Sequence, residues 1–369
     1  MFASVPSSAA PLRFALVGCG NIAPTQAKAL QEIPDLARLT HCVDLDAERA
    51  ADFASQHGLT VASWESVLAD PEIEAVTLCT PSGLHGDLAA RALRAGKHVV
   101  IEKPMEVSVA ACDALLEAQR ASGRWLAVIS QHRFDPASRT VRRLVDENAL
   151  GRIVAADVRI PWYRTQEYYD SGDWRGTRAM DGGGCLMNQG VHTIDLMLWL
   201  CGPVREVFAR TATAAHERIE VEDVACATLV FANGALGTLF GSTAAYPGFP
   251  ARLALHGTGG SAVIEGDELQ TLAIKGREIV TGPAASAHAL QVATGGTSSA
   301  VRNAKADADA AQSPAWKWGD AHREQFADFV AAVRENRAPL VDGEAGRAAV
   351  ALIHAIYESA RIDAPVRLG

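Results

Sequence analysis

Aromatic residues are scarce in this chain, at 6%, and it has neither a long apolar run nor an excess of positive charge. Each lack excludes something. A net charge of −9 argues against nucleic acid or an anionic membrane surface as the main partner. Local arginines can still outweigh that average around a small anionic substrate. No stretch approaches the ~18 consecutive apolar residues of a membrane span. Met1–Pro11 lacks a basic n-region and an apolar core, so it reads as a loose tail rather than a signal peptide. The cysteines, Cys19, Cys42, Cys79, Cys112, Cys185, Cys201 and Cys226, are odd in number, scattered, and never spaced as CxxC. That excludes a disulfide frame or a zinc knuckle and suits buried thiols in a reducing compartment. These absences place the expected protein in the cytoplasm. No internal repeat is visible.

What is present is ordinary for a globular chain, with 49% hydrophobic and 21% charged residues. At 369 residues it is too long for one core, so two domains are expected. In the first third, strand candidates (Leu12–Val17, Leu39–Val43, Ala75–Cys79, His98–Ile101, Trp125–Ser130) alternate with helical patterns (Thr25–Glu32, Ala47–His57, Leu84–Ala95, Ala110–Ala121). That alternation predicts βαβ units and a doubly wound parallel sheet. Beyond it, extended candidates Ile153–Val158, Val204–Arg210, Val224–Phe231, Ala235–Ser242, Arg252–His256 and Ser261–Glu265 are joined by Gly- and Asn-bearing turns. They suit a mostly antiparallel sheet covered on one face by helices. Residues 282–313, rich in Ala, Gly, Ser and Thr, read as a long loop or lid with at most one short helix, and helices over Asp320–Asn336 and Gly343–Ala360 close the chain. The expected division is a tail over 1–11, an α/β domain over 12–131, and an α+β domain over 132–369 whose last helices can return to the first.

A strand runs directly into Gly18-Cys19-Gly20-Asn21-Ile22-Ala23, which opens a helix. Gly18 permits the tight turn, Gly20 lets backbone approach a pyrophosphate, and the helix N-terminus offers free N–H groups. The second strand ends at Asp44, placed to hydrogen-bond ribose hydroxyls. An acid there repels a 2′-phosphate, so NAD is favoured over NADP, although Arg49 lies nearby. Thr80-Pro81-Ser82 with His85 follows the next strand, and Glu102-Lys103-Pro104 follows the one after. Carboxyl ends of parallel strands are where ligands bind, so Lys103 is expected at the nicotinamide end, polarising a hydroxyl or carbonyl. Its bland alternative is a surface lysine paired with Glu102. A cis Lys103–Pro104 bond is a further expectation.

The richest segment is Asp181–Leu196. Read as a helix entered through Gly182-Gly183-Gly184, it carries Met187, Val191, Ile194 and Leu198 on an apolar stripe. Asn188, His192 and Asp195 stack on another face. The alternative is a solvated outer face, but the glycine run and the aromatic tract before it favour an active site.

These motifs together resemble the Gfo/Idh/MocA family of NAD(P)-dependent oxidoreductases, named for glucose–fructose oxidoreductase and inositol dehydrogenase. The likeness rests on Gly18–Ala23, Glu102-Lys103-Pro104, Arg133-Phe134-Asp135-Pro136, the glycine run with Asn188, His192 and Asp195, and His322. It implies a Rossmann domain followed by an α/β domain with a large open sheet, often the oligomer interface, and hence a homodimer or homotetramer. It also implies hydride transfer at a hydroxyl carbon of a sugar, cyclitol or related compound, with Lys103, Asn188 and His192 at the reaction centre. Inositol-dehydrogenase-like members carry Asp at the place of Asn188. An amide takes no proton, so it can only orient substrate or His192. The base is then His192, with Lys103 lowering the hydroxyl's pKa, in preference to Lys103 itself.

The substrate pocket is expected to draw on Gln131, His132 and Arg133 and on the tract from Trp162 to Thr177. That tract holds five aromatics within thirteen residues and supplies Trp162, Arg164, Tyr169, Trp174 and Arg175. Aromatic faces stack on sugars, and guanidinium forks grip carboxylate or phosphate. The tract, Met187-Asn188-Gln189 and Ile219–Asp223 are similar to UDP-N-acetylglucosaminuronate 3-dehydrogenases, the second reading. A third, a non-catalytic NAD(P) sensor, has no need of Lys103 and His192 together. Metal chemistry through His192 and Asp195 lacks ligands, and no metal is expected.

Overall fold

The computed structural model describes residues 10–277, 279–282 and 319–369. The first sheet is wholly parallel, built from β1 (Leu12–Val17), β2 (Ala37–Val43), β3 (Thr60–Val61), β4 (Ala75–Leu78), β5 (His98–Ile101) and β6 (Leu126–Val128) in the order β3-β2-β1-β4-β5-β6. Its central strands are continuous apolar runs because helices cover both faces. Those helices are α1 (Ala23–Gln31), α2 (Ala47–His57), α3 (Trp64–Ala69), α4 (His85–Arg94) and α5 (Val109–Ser122). Local chemistry sets their limits. Asp46 and Ser108 cap α2 and α5 through side-chain oxygens, and Gly58 and Gly123 end them in left-handed conformations. The strand order reverses between β1 and β4, which opens the crevice at their carboxyl ends.

The chain leaves β6 through α6 (Pro136–Asp146) into a nine-stranded sheet, and only one of its strand pairs is parallel. Its strands are β7 (Ile153–Pro161), β8 (Val204–Ala212), β9 (Val224–Phe231), β10 (Leu236–Ser242), β11 (Arg252–Gly257), β12 (Gly260–Glu265), β13 (Glu268–Ile274), β14 (Val280–Thr281) and β15 (Val366–Arg367). The order is β14-β13-β12-β11-β7-β10-β9-β8-β15, with β7 and β10 the parallel pair. The short α7 (Gln166–Asp170) follows β7, while α8 (Val191–Cys201) and α10 (Gly343–Ile362) cover one face of the sheet. On β8, Val207 and Ala209 point inward and Phe208 and Arg210 outward, the period of a half-buried strand.

The closing helices tie the two sheets together. On α9 (Asp320–Glu335), Phe326 and Phe329 pack against Phe14 of β1, with ring centroids 6.0 and 6.2 Å apart. On α10, Gly343 and Gly346 lie against Leu116, Leu126, Met105 and Val128 of the first sheet's layer, while Ser359 accepts the Ala209 N–H of β8 at 3.0 Å. Among the described residues no helix is long and apolar enough to cross a membrane. Six of the seven cysteines are buried, Cys226 is exposed, and all are free.

The differences from expectation are local. The elements β3, α3, α6, α7, β13, β14 and β15 are additions, and the Lys103–Pro104 bond is cis. The single helix expected from the glycine run is instead a π-turn over Cys185–Gly190 followed by α8. The expected loop over 282–313 lies, apart from Gly282, outside the described residues.

Candidate active site

The crevice is floored by the turn after β1. Gly18 has φ +92°, and a Cβ there would sit 2.9 Å from the Cys79 carbonyl carbon and oxygen, so only glycine fits between the two strand ends. Gly20 has open space where its Cβ would be, leaving its backbone approachable, and Asn21 and Ile22 carry the chain into α1, with Pro24 in its first turn. Asp44 Oδ2 accepts the Cys19 N–H at 2.7 Å, and its Oδ1 accepts Asp46 N–H at 2.9 Å. Arg49 lies over Asp44 and Asp46, at 3.7 and 3.0 Å. Across the turn, Thr80 has a buried hydroxyl with no partner. It leads through Pro81 into the buried Ser82, and Gly83 N–H reaches the Met180 carbonyl at 3.0 Å. An open glycine turn, an acid at the second strand and an orphaned hydroxyl fit a dinucleotide. His85 is a correction: its ring nitrogens lie 2.9 Å from the carbonyls of Pro104 and Thr80, and burial lowers its pKa to about 4. The neutral ring donates to one of these two carbonyls, and with both nitrogens facing backbone oxygens it turns neither toward the crevice.

At the far end of the crevice Lys103 Nζ donates to the Asn188 carbonyl at 2.7 Å. Beneath it the buried Glu102 accepts from Gln26 at 2.6 Å and from the Lys103 N–H at 3.1 Å. Burial lowers the Lys103 pKa, Glu102 and Asp181 oppose that, and Arg164 and Arg175 add to it. His192 lies in the same field. Its Nδ1 is buried without a hydrogen-bond partner, and burial, Lys103, His132 and His322 hold its pKa well below the ordinary value. Its ring meets that of His132 edge to face at 5.3 Å. His132 Nδ1 donates to Asp135 at 2.8 Å and Asp267 at 3.1 Å; burial opposes charge there, but the two carboxylates win and raise its pKa to about 10. Gln131, also buried, keeps its Oε1 without a partner beside them.

The π-turn brings Asn188 here, and residues far away in sequence build it. Glu222 accepts N–H groups of Gly184 and Leu186 at 3.0 and 2.9 Å and the Tyr357 hydroxyl at 2.9 Å. A Cβ on Gly184 would run into the Glu222 carbonyl oxygen. The expected stack of three polar residues is thereby divided. Asn188 turns to Asp181, which accepts its Nδ2, and His192 faces Lys103 and His132. Asp195 is taken up by Arg133.

That last pair corrects Arg133 as a substrate residue. Its Nε and Nη2 reach Asp195 at 2.7 and 2.6 Å, both side chains are buried, and its Nη1 points to the Leu340 carbonyl. Tyr169 is corrected too: it is buried, with its hydroxyl on Thr243 at 2.9 Å. The neighbouring Tyr168 takes the position at the site. Arg164 stacks over Trp162 and Tyr168, and Arg175 over Trp174 and Tyr168. Gln189 accepts from Arg164 at 2.7 Å and donates to Tyr168 at 2.8 Å. Among the described residues neither arginine pairs with an acid, although both lie within electrostatic reach of Lys103. Tyr168, Asp181, Gln189 and Glu222 lie in segments that the sequence marked, but none was named as a site residue.

Comparison with known proteins agrees with this fold. Residues 12–130 match the model of the oxidoreductase family with NAD-binding Rossmann fold, and residues 138–263 match the GFO/IDH/MocA C-terminal domain. The crystal structure of the WlbA dehydrogenase from Bordetella pertussis, in complex with NADH and UDP-GlcNAcA, is 31% identical. It superposes with a TM-score of 0.84 over 97% of this chain and 98% of that one. The aldose-aldose oxidoreductase from Caulobacter crescentus, complexed with glycerol, is 26% identical with a TM-score of 0.79, over 97% of this chain and all (100%) of that one. The inositol 2-dehydrogenase of Rhizobium meliloti is 29% identical over 263 residues, 69% of this chain and 76% of that protein. With both domains matched and a relative aligned end to end, the chain belongs to the GFO/IDH/MocA family of NAD-binding oxidoreductases.

Proposed function

We propose that the protein is an NAD-dependent dehydrogenase or reductase acting on a hydroxyl carbon of a sugar-type substrate that carries an anionic group. The observation that carries this is the junction of Lys103, His192 and an amide at position 188 with two arginines that have no acidic partner among the described residues. Bound in the crevice, the nicotinamide ring supplies the hydride acceptor or donor. Lys103 donates to the reacting oxygen and stabilises alkoxide character there. His192, neutral across the working pH range, offers a lone pair for the hydroxyl proton. Desolvation and neighbouring cations make it a poor base in the empty site. An anionic oxygen arriving beside it works in the opposite direction. Asn188 orients and does not exchange protons.

Asp44 favours NAD over NADP, because Arg49 is already engaged by Asp44 and Asp46. A substrate of the UDP-uronate type is supported by Arg164 and Arg175 and by the Bordetella relative. The sensor alternative leaves the neutral imidazole and the half-buried ammonium without a purpose. The outer face of the nine-stranded sheet exposes Phe208, Leu236, Cys226 and Val154, which supports a homodimer or homotetramer through that face. The scattered free thiols support a cytoplasmic setting. The deciding experiment follows nicotinamide absorbance with free sugars, cyclitols and UDP-uronates. Turnover confined to anionic sugars is the expected result, and turnover of neutral polyols alone would overturn the anionic assignment. Silence with every class would favour the sensor, and tighter binding of NADPH than NADH would overturn the Asp44 argument.

A further inference from the structure

Asp181 is buried, opens the glycine run, and has no basic partner in direct contact. Its Oδ2 accepts the Gly176 N–H at 2.8 Å and its Oδ1 accepts Asn188 Nδ2. Asn188 Oδ1 accepts Gln189 Nε2 at 2.7 Å, and Gln189 Oε1 accepts Arg164 Nη2 at 2.7 Å. The chain of hydrogen bonds is fixed at both ends by ions. An ionised carboxylate only accepts and a guanidinium only donates, so neither amide between them can turn over without breaking a bond at each side. The same run of residues holds Lys103, whose Nζ donates to the Asn188 carbonyl.

We propose that Asp181 is a positioning residue that supplies the counter-charge for Lys103 and, through the ordered amides of Asn188 and Gln189, holds Arg164 in place to receive the substrate's anionic group. The negative charge expected at position 188 thus stands seven residues earlier. This also explains why an amide is needed at 188. A carboxylate there would lose the donor to Asp181 and set two anions against each other. The proposal rests on the reading of Lys103 and Arg164 as substrate-facing groups. The charged and titratable groups around Lys103 are Glu102, Asp181, Arg164, Arg175, His192 and His85. The two acids raise its pKa, the arginines and burial lower it, and the two histidines are neutral.

The test needs no substrate. The chain has six lysines. Trace acetylation with acetic anhydride, read by peptide mass spectrometry against pH, reports the free-amine fraction of Lys103 with Lys28 as internal reference. Removing a nearby anion frees the amine. In Asp181→Asn, Lys103 labelling at mildly alkaline pH is expected to rise roughly tenfold, the size of a one-unit shift. Asp181→Asn with Asn188→Asp restores the charge and returns labelling to within about twofold of the parent. Asn188→Asp alone adds an anion and slows labelling. It keeps the test decisive if Asp181→Asn fails to fold. Unchanged labelling in Asp181→Asn, no return in the double variant, or unaffected labelling in Asn188→Asp would each overturn the proposal. Such a failure leaves the dehydrogenase reading standing. Silence in the substrate screen overturns that reading and leaves the labelling result intact.

Discussion

Arg133 and Arg164 both stack on a tryptophan, and both were expected to touch substrate, yet the protein uses them differently. Arg133 lies over Trp199 and grips Asp195 with two nitrogens, deep in the junction between the sheets. Arg164 lies over Trp162 and Tyr168 and, among the described residues, finds the Gln189 amide and a backbone carbonyl but no carboxylate. A buried cation with its own carboxylate is finished structure. One held by ring faces and a neutral amide keeps a donor edge and uncompensated charge for an anion. Sequence alone makes the two arginines look alike, because each is an Arg within an aromatic-bearing motif.

The comparison breaks most clearly if Asp195 is removed. Asp195→Ala strands the Arg133 guanidinium, whose side chain is 7% exposed, and is expected to cost about 3–5 kcal/mol in denaturant unfolding. A loss under ~1 kcal/mol would show that the pair is not the structural clamp inferred here. Arg164→Ala and Arg175→Ala should behave in the opposite way. Their stability is expected to stay within about 0.5 kcal/mol of the parent, since no buried acid is abandoned. For the anionic substrate KM is expected to rise about tenfold or more, the worth of a hydrogen bond to a charged group. If either variant unfolds as readily as Asp195→Ala, the distinction fails.

Burial, reinforced by neighbouring cations, sets the pH behaviour of Lys103 and His192. His192 is held neutral well below the ordinary imidazole range, and the Lys103 pKa lies below 10.5. The profile of kcat/KM is therefore expected to show no fall through the imidazole range. Its alkaline limb should break below the free-lysine value and disappear in Lys103→Arg. A break near 6.5 that vanishes in His192→Gln would show that this imidazole titrates normally.

Much of this was legible in the chain. Continuous apolar runs marked β1, β4 and β5, alternation marked β8 and β9, and the glycine turn with Asp44 marked the crevice. The misses share a cause. Helix α6 buries Ala137, Ser138 and Thr140 beside Val141 and Leu144, so its inner face does not read as apolar. The π-turn has no local signal, because Glu222 and Tyr357 build it from distant elements. Which tyrosine meets Arg164 and Arg175 turned on which of two neighbours the short α7 buries: it buries Tyr169 and leaves Tyr168 to the arginines. Whether an arginine is paired is a fact of tertiary contact, and periodicity does not carry it.

Two imidazoles sharpen the same contrast at its smallest scale. His132 and His192 touch edge to face at 5.3 Å and shift in opposite directions. His132 has two carboxylates and is charged, with a pKa of about 10, whereas His192 is held neutral by burial first and then by Lys103, His132 and His322. Raising a folded-state pKa stabilises the fold at pH values where the unfolded imidazole has begun to lose its proton and below. The His132 contribution is therefore complete below 6.5 and is lost as pH rises through about 10. Removing the imidazole removes that dependence. The gap in melting temperature between the parent and His132→Gln is expected to be widest below 6.5 and to close by about 10. Calorimetry at a series of pH values measures it, and a gap that stays constant or widens with pH would mean that His132 is not the imidazolium that Asp135 and Asp267 hold.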